Sequence, residues 1–219
     1  MGGLPGAAVL KGFSASKIEL AGVLRSTRWH PLQHLQRSGV RYSAYLGCAM
    51  LGRLSTDVPQ HATRDCNDAA SRAFIDRLAP DLVVTAFFNQ RLLTPRAAVN
   101  IHPSLLPALR GVDPVFYARL RGVPLGVSVH RLTSELDTGP VLAQREVPVV
   151  AHESILGGTV RLYGLGARLL VDLLPALGAG QPQRGAASYD SWPARVDVQA
   201  LRRKGVSLVR WRDLRSPAR

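Results

Sequence analysis

The segment Asp81–Phe88, DLVVTAFF, limits the fold more than any other part of the chain. It is a nearly continuous apolar run rich in β-formers and is set off by Pro80. A strand without a polar face is buried on both sides, which is the habit of parallel sheets covered by helices. Its neighbours agree with this. Cys66–Leu78 carries apolar residues at helical spacing, with Asp65 as its expected N-cap. Ala97–His102 reads as another strand, ended by Pro103. Further strands are expected at Ile18–Leu24, Tyr42–Leu46, Gly126–Leu132 and Val141–Val149, and helices at Pro31–Ser38 and Ser154–Leu177. Strands alternating with helices predict an α/β fold, a doubly wound and mainly parallel sheet of Rossmann type. The length suits one domain over residues 1–180 and a short basic C-terminal extension over 181–219, read as strand–helix–strand.

The start of the chain departs from this pattern. Gly2, Gly3 and Gly6 come with no strand ahead of them. A glycine-rich phosphate loop needs a preceding strand, so MGGLPG is weak evidence for one. The first strand of a doubly wound sheet lies near its centre. The expectation is therefore a missing first strand, with either an apolar strand upstream or Gly6–Leu10 drawn in as a substitute.

The formal charge is +13, almost all of it from arginine, with Arg202, Arg203, Lys204, Arg210, Arg212 and Arg215 clustered late in the chain. Such a surface favours phosphate-bearing partners, although arginines spread over a solvated surface give the same total. No apolar run reaches the roughly 18 residues of a membrane span. The first twenty residues lack the pattern of a signal peptide. Cys48 and Cys66 have neither metal-ligand nor disulfide spacing. These features predict a cytoplasmic protein without metal or membrane partner.

The chemistry concentrates in residues 100–142. On a strand, i and i+2 share a face, so Asn100 and His102 stand together while Ile101 points into the opposite layer. Pro103 stops the strand, placing the pair at the carboxyl edge of the sheet, where open α/β folds put ligands. Asp137 lies in a turn, Asp-Thr-Gly-Pro, between two later strands. Singly, each has a structural explanation: a strand-end turn residue, a core histidine, a turn former. Together they suit acyl transfer. An amine attacking a formyl carbon makes an oxyanion that Asn100 and protonated His102 can stabilise. Asp137 can orient His102, raise its pKa and help move the amine proton.

The ordered segments N-I-H-P-S-L-L-P, R-G, G-V-S-V-H and L-D-T-G-P resemble the folate-dependent formyltransferases, clearly over residues 81–150 and more loosely over 18–180. This family includes enzymes acting on glycinamide ribonucleotide, on methionyl-tRNA and on amino sugars. The resemblance implies 10-formyltetrahydrofolate as co-substrate and Asn100, His102 and Asp137 as the catalytic triad. It implies folate contacts from Arg91, Leu92 and Leu93, from Ser104, Leu105, Leu106 and Pro107, and from Leu136, Thr138 and Gly139. His130 and Arg110 are candidates for the acceptor side, with a buried, hydrogen-bonded histidine as the other reading of His130. Arg110–Gly111 is like the methionyl-tRNA and sugar branches, LDTGPVLAQ is nearer the nucleotide branch, and R-G-V-D-P-V-F is most like the sugar and small-molecule branches. The residues after the core are too few for the tRNA-binding barrel of the methionyl-tRNA branch. The expected acceptor is a small-molecule or sugar amine, with phosphate-bearing acceptors suited to the charge, and tRNA is the weaker candidate. Two alternatives stand beside it: a 10-formyltetrahydrofolate hydrolase, and a catalytically silent nucleic-acid-binding paralogue.

Overall fold

The computed structural model describes residues 2–28, 30–51, 54 and 56–215. The α/β fold expected from the alternating pattern is present, and its sheets are mixed. Strands β1 (Val23–Ser26) and β2 (Gln60–Thr63) form a parallel pair. A second sheet has the order β3 (Val83–Ala86), β4 (Ala98–His102), β6 (Leu125–Arg131), β7 (Val141–Val147). In it β3 and β4 are parallel, whereas β6 and β7 run antiparallel to their neighbours. A short parallel ladder joins β5 (Arg110–Gly111) to β8 (Tyr189–Asp190).

Two long helices cover the four-stranded sheet. Helix α6 (Ile155–Leu173) is capped by Ser154, whose Oγ accepts from the Gly157 N–H at 2.9 Å. It presents Leu162, Gly166, Leu169 and Leu170 to the core. Its internal glycines, costly for an isolated helix, are explained by contact. A Cβ on Gly166 would lie 2.3 Å from Ile101 Cγ2 and 2.8 Å from Val127 Cγ2. Helix α1 (Gly3–Ser14) packs against α6, and a Cβ on Gly12 would lie 2.6 Å from that of Ala167. Removing side chains at these crossings lets both layers close over the core of Val99, Ile101, Val127 and Val129, each fully buried. Each such side chain contributes about 1.5–3 kcal/mol by leaving water.

Several expectations are corrected. Gly6–Leu10 is part of α1 and is not a strand: Gly6, Val9, Leu10 and Phe13 are buried at helical spacing. Tyr42–Leu46 belongs to helix α3 (Val40–Met50), where Tyr42, Tyr45, Leu46 and Ala49 form one buried face. That spacing, i, i+3, i+4 and i+7, serves a helix and would split across the two faces of a strand. Helix α2 (Pro31–Ser38) has the predicted bounds. Helix α4 (Ala69–Leu78) starts three residues later than expected, because Asp68, not Asp65, accepts from the Ser71 N–H at 2.6 Å. Asp65 instead closes the preceding turn on the Asn67 N–H. Strand β1 occupies Val23–Ser26 rather than Ile18–Leu24.

Among the described residues the β1–β2 pair and the four-stranded sheet do not join. Strands β1 and β3 face each other across an apolar cleft of about 580 Å³ lined by Leu10, Phe13, Val23, Val84, Leu170 and Leu174. This is the region where the sequence leads one to expect a further, central strand.

The described part of residues 181–219, expected as a short basic C-terminal extension, packs against the preceding elements. After β8 come α7 (Arg195–Arg203) and α8 (Trp211–Leu214), a short helix where a strand was expected. Asp213 accepts from the Arg210 N–H at 2.6 Å, starting α8, and also from Ser154 Oγ at 2.5 Å, tying it to the cap of α6. Among the described residues no helix is long and apolar enough to cross a membrane.

Candidate active site

Strand β4 delivers Asn100 and His102 to one face, as the two-residue period requires. Its register pairs Asn100 with His130 and His102 with Ser128 on β6, while Ile101 fills the opposite layer beneath Gly166. Asp137 enters from the β6–β7 turn in the left-handed region, φ 57°. Gln183 holds that turn by donating through Nε2 to the carbonyls of Asp137 at 2.9 Å and Gly139 at 2.8 Å.

The Asp137 carboxylate is the centre of the cluster. Oδ2 accepts from the Gly111 N–H at 2.9 Å. Oδ1 lies 3.4 Å from Asn100 Nδ2 and 3.6 Å from both His102 Nδ1 and His130 Nε2. Gly111 needs to be glycine on two counts: its φ is 96°, and a Cβ would sit 2.1 Å from the Asp190 carbonyl oxygen. Asn100 is oriented by Thr85, whose Oγ1 donates to its Oδ1 at 2.9 Å.

The ring nitrogens follow from their partners. His102 Nε2 faces the Leu109 carbonyl at 2.9 Å, so it carries the hydrogen. Its Nδ1 then faces Asp137, bare when the ring is neutral and donating when it is protonated. His130 Nδ1 faces the Arg131 carbonyl at 2.9 Å, and its Nε2 stands 3.0 Å from Asn100 Nδ2 and 3.6 Å from Asp137 Oδ1, accepting from the amide when the ring is neutral and donating to the carboxylate when it is protonated. Burial pushes His102 below the ordinary imidazole value, and the Asp137 charge pulls it back up. Burial would raise Asp137, but the neighbouring His102, His130 and the Gly111 N–H outweigh it and hold the carboxyl well below the usual range. The two groups thus pull on one proton from opposite sides: burial disfavours the charged imidazole, and the Asp137 charge favours it.

Asn100, His102 and Asp137 open into a cleft of about 160 Å³. Phe87, Phe88 and Asn89, which follow β3, form one wall. Tyr45 and Tyr163 form another, and Tyr189 and Trp192 from the C-terminal segment a third. Sequence reasoning missed these aromatic walls. Asp113 also lines the cleft and was missed, although an Asp-Pro step at a helix start was visible.

The other expected residues are placed as follows. Leu136 lines the catalytic cleft. Thr138 is engaged with Thr133 and the Glu135 carbonyl within its own turn, and Gly139 packs on the Arg131 carbonyl. Arg91 is exposed, Leu93 is 61% exposed, and Leu92 faces the cleft between β1 and β3. Ser104, Leu105, Leu106 and Pro107 do not line the catalytic cleft. Ser104 Oγ donates to the Leu109 carbonyl at 2.6 Å, Leu105 packs over Gly126, and Leu106 N–H donates to Ser128 Oγ at 3.1 Å. The loop Ser104–Pro107 thus braces β6 and β7 from below the site, with Pro107 joined by a cis peptide. His130, a candidate for the acceptor side, is buried behind Asn100, because the β4–β6 register places it opposite that residue. Arg110 is turned to Gln183, donating to its Oε1 from Nε and Nη2 at 3.1 and 2.7 Å. Among the described residues no group of His, Cys, Asp or Glu is placed to hold a metal ion.

Comparison with known proteins gives this cluster a context. A methionyl-tRNA formyltransferase of Levilactobacillus brevis is 44% identical over 111 residues, covering 48% of this chain and 35% of that protein. One from Syntrophus aciditrophicus is 32% identical over 164 residues, covering 72% of this chain and 51% of that protein. The chain thus spans about half or less of the length of these relatives. Among solved structures, a sugar N-formyltransferase from a Shewanella species matches with a TM-score of 0.54 at 20% identity, covering 78% of this chain and 76% of that one. The formyltransferase PseJ of Anoxybacillus kamchatkensis, in complex with UDP-4,6-dideoxy-4-formamido-L-AltNAc and tetrahydrofolate, matches with a TM-score of 0.52 at 23% identity, covering 78% and 85%. At these identities the structures speak to the fold alone. The formyl transferase family profile matches residues 49–174, a span that includes Asn100, His102 and Asp137. That span is more than half of the chain, and the protein belongs to the formyl transferase family.

Proposed function

We propose that the protein transfers a formyl group from 10-formyltetrahydrofolate to a primary amine, with Asn100, His102 and Asp137 acting on the reacting atoms. The observation that carries this is the half-buried Asp137 carboxylate, whose Oδ1 lies 3.4 Å from Asn100 Nδ2 and 3.6 Å from His102 Nδ1 in the lining of a cleft. The acceptor nitrogen attacks the formyl carbon, a C–N bond forms, and the carbonyl oxygen becomes an oxyanion. Asn100 Nδ2–H and protonated His102 are the donors for that charge, each by turning a hydrogen from Asp137 to the oxyanion. Breakdown cleaves the bond between the formyl carbon and N10 of the folate. The proton lost by the amine passes to that leaving nitrogen, with Asp137 and His102 as its carriers, directly or through water. The products are a formamide and tetrahydrofolate. No side-chain nucleophile takes part.

For the acceptor we infer a sugar or other small-molecule amine rather than tRNA. Support comes from Tyr189 and Trp192, which line the same cleft as Asn100 and offer rings on which a hexose or a base can lie. The methionyl-tRNA reading is kept open by the curated relatives.

The test is a panel of amino sugars, free or nucleotide-linked, alongside methionyl-tRNA, incubated with 10-formyltetrahydrofolate while tetrahydrofolate release and N-formyl product are followed. Product from one amine class identifies the acceptor. Tetrahydrofolate release without any amine would replace transfer by hydrolysis. Salt-sensitive RNA binding with no folate binding would replace both by the silent nucleic-acid-binding reading.

A further inference from the structure

Among the described residues, Asp113 and Asp137 are the two carboxylates lining the catalytic cleft, and the proposed chemistry leaves Asp113 unused. Its placement is unusual. It stands at the N-cap of helix α5 (Pro114–Arg121), where an aspartate ordinarily accepts a hydrogen bond from its own helix. Here the side chain makes no capping bond of full hydrogen-bond geometry, although the Phe116 N–H is near enough to help hold the carboxyl down. The backbone is left-handed, φ 48° and ψ 55°, directly before a proline, a combination that few residues adopt.

That conformation sends the carboxylate across to helix α3. Asp113 Oδ2 accepts from Tyr42 Oη at 2.7 Å, with the Tyr45 hydroxyl as a second neighbour. Both tyrosines are buried, and Tyr42 is packed edge-on against Phe116 and Trp192. Two residues back along the chain, the Gly111 N–H donates to Asp137. Strand β8 holds this segment from the other side, through the Val112 N–H on the Asp190 carbonyl at 2.7 Å. The donor that orients Asp137 therefore sits in a short span held at both flanks, by β8 on one and by Asp113 on the other.

We propose that Asp113 is a positioning residue: its bonds to α3 pin the turn Gly111–Pro114 and so keep the Gly111 N–H on Asp137. The effect on turnover rests on the formyl-transfer reading, whereas the pin itself does not. Burial raises the Asp113 carboxyl to about 6. The groups around it are Tyr42 and Tyr45 on α3, Tyr117 on α5 and Tyr163 on α6, all neutral at that pH and none a cation. Its protonation near neutrality therefore changes the pin with no other charge in immediate contact to compensate.

The experiment reads the Gly111 amide by nuclear magnetic resonance in the whole chain. In wild type the amide proton is expected well downfield, as for an N–H on a carboxylate, and to move with a midpoint near pH 6. In Asp113→Ala it shifts upfield, and only the part of the pH response that comes from His102 beside Asp137 remains. Tyr42→Phe, a smaller change, gives a partial shift, and Asp113→Asn keeps the downfield position with the same reduced pH response. With a verified acceptor, Asp113→Ala lowers kcat by about 10-fold or more, as displaced catalytic groups do, while folate affinity holds. A folded Asp113→Ala or Tyr42→Phe protein whose Gly111 amide is unmoved overturns the pin. An amide that moves as expected in a protein that formylates no amine leaves the pin standing and refutes the function.

Discussion

Two glycines two residues apart in α6 are expected to respond oppositely to the same substitution. A Cβ on Gly166 would lie 2.3 Å from Ile101 Cγ2 and 2.8 Å from Val127 Cγ2, well inside contact distance. Ile101 and Val127 are β-branched and fully buried, so neither swings aside cheaply. A Cβ on Gly164 meets nothing nearer than the Ala8 carbonyl oxygen at 3.7 Å, an ordinary contact. Overpacking of a core costs about 1–3 kcal/mol, and replacing a helical glycine by alanine returns up to about 1 kcal/mol. Gly166→Ala is therefore expected to lose about 2 kcal/mol, and Gly164→Ala to gain about 0.5–1 kcal/mol. For a chain of this size each kcal/mol moves Tm by about 2–4 °C. Gly166→Ala should also lower turnover, because Ile101 lies between Asn100 and His102 and cannot shift without moving them. Urea denaturation with matched m-values is the assay. Equal stability of the two variants, or a Gly166→Ala protein as stable as wild type, would refute the claim that the helix–sheet spacing is set by the missing side chain.

His102→Ala and Asp137→Asn are each expected to lower turnover by about 100-fold or more with less effect on folate affinity. Their double variant should lose little beyond the worse single one, because the residues act as a unit. An Asp137→Asn enzyme with wild-type turnover on a verified acceptor would end the assignment. The two cleft carboxylates pull stability in opposite directions with pH. Asp113 binds its proton more tightly when folded, so its contribution falls as pH rises from 3.8 to about 6, by about 3 kcal/mol. Asp137, held low, contributes stability above its unfolded pKa that is lost as pH falls below about 4. Subtracting the Asp113→Asn stability curve from wild type should expose the first effect, and a flat difference between pH 4 and 7 would show that Asp113 is not desolvated as described. Fusing a five-residue apolar strand ahead of Gly2 is expected to raise Tm by pairing with the facing edges of β1 and β3. An unchanged Tm would mean that the cleft between the sheets does not accept a strand.

The sequence by itself determined the elements whose signal is local. Strands at Val83–Ala86, Ala98–His102, Leu125–Arg131 and Val141–Val147 lie within the expected spans to a residue or so, as does helix Ile155–Leu173. Alternation along a strand is a matter of backbone geometry, so the shared face of Asn100 and His102 was legible before any contact was known. Tyr42–Leu46 was misread although its helical signal was present, because the window was too short to show Ala49 completing the face. What only the tertiary structure decided is where side chains meet across long separations. Gly111 on Asp137, Gln183 on the Asp137 turn, Tyr42 on Asp113 and Tyr189 at the cleft join segments that no local pattern relates. The bonds of the loop Ser104–Pro107, expected beside the folate, and of Arg110, a candidate on the acceptor side, to β6, β7 and Gln183 were likewise not legible. Their buried polar groups must be satisfied, and which partner satisfies them depends on the packing of the whole chain.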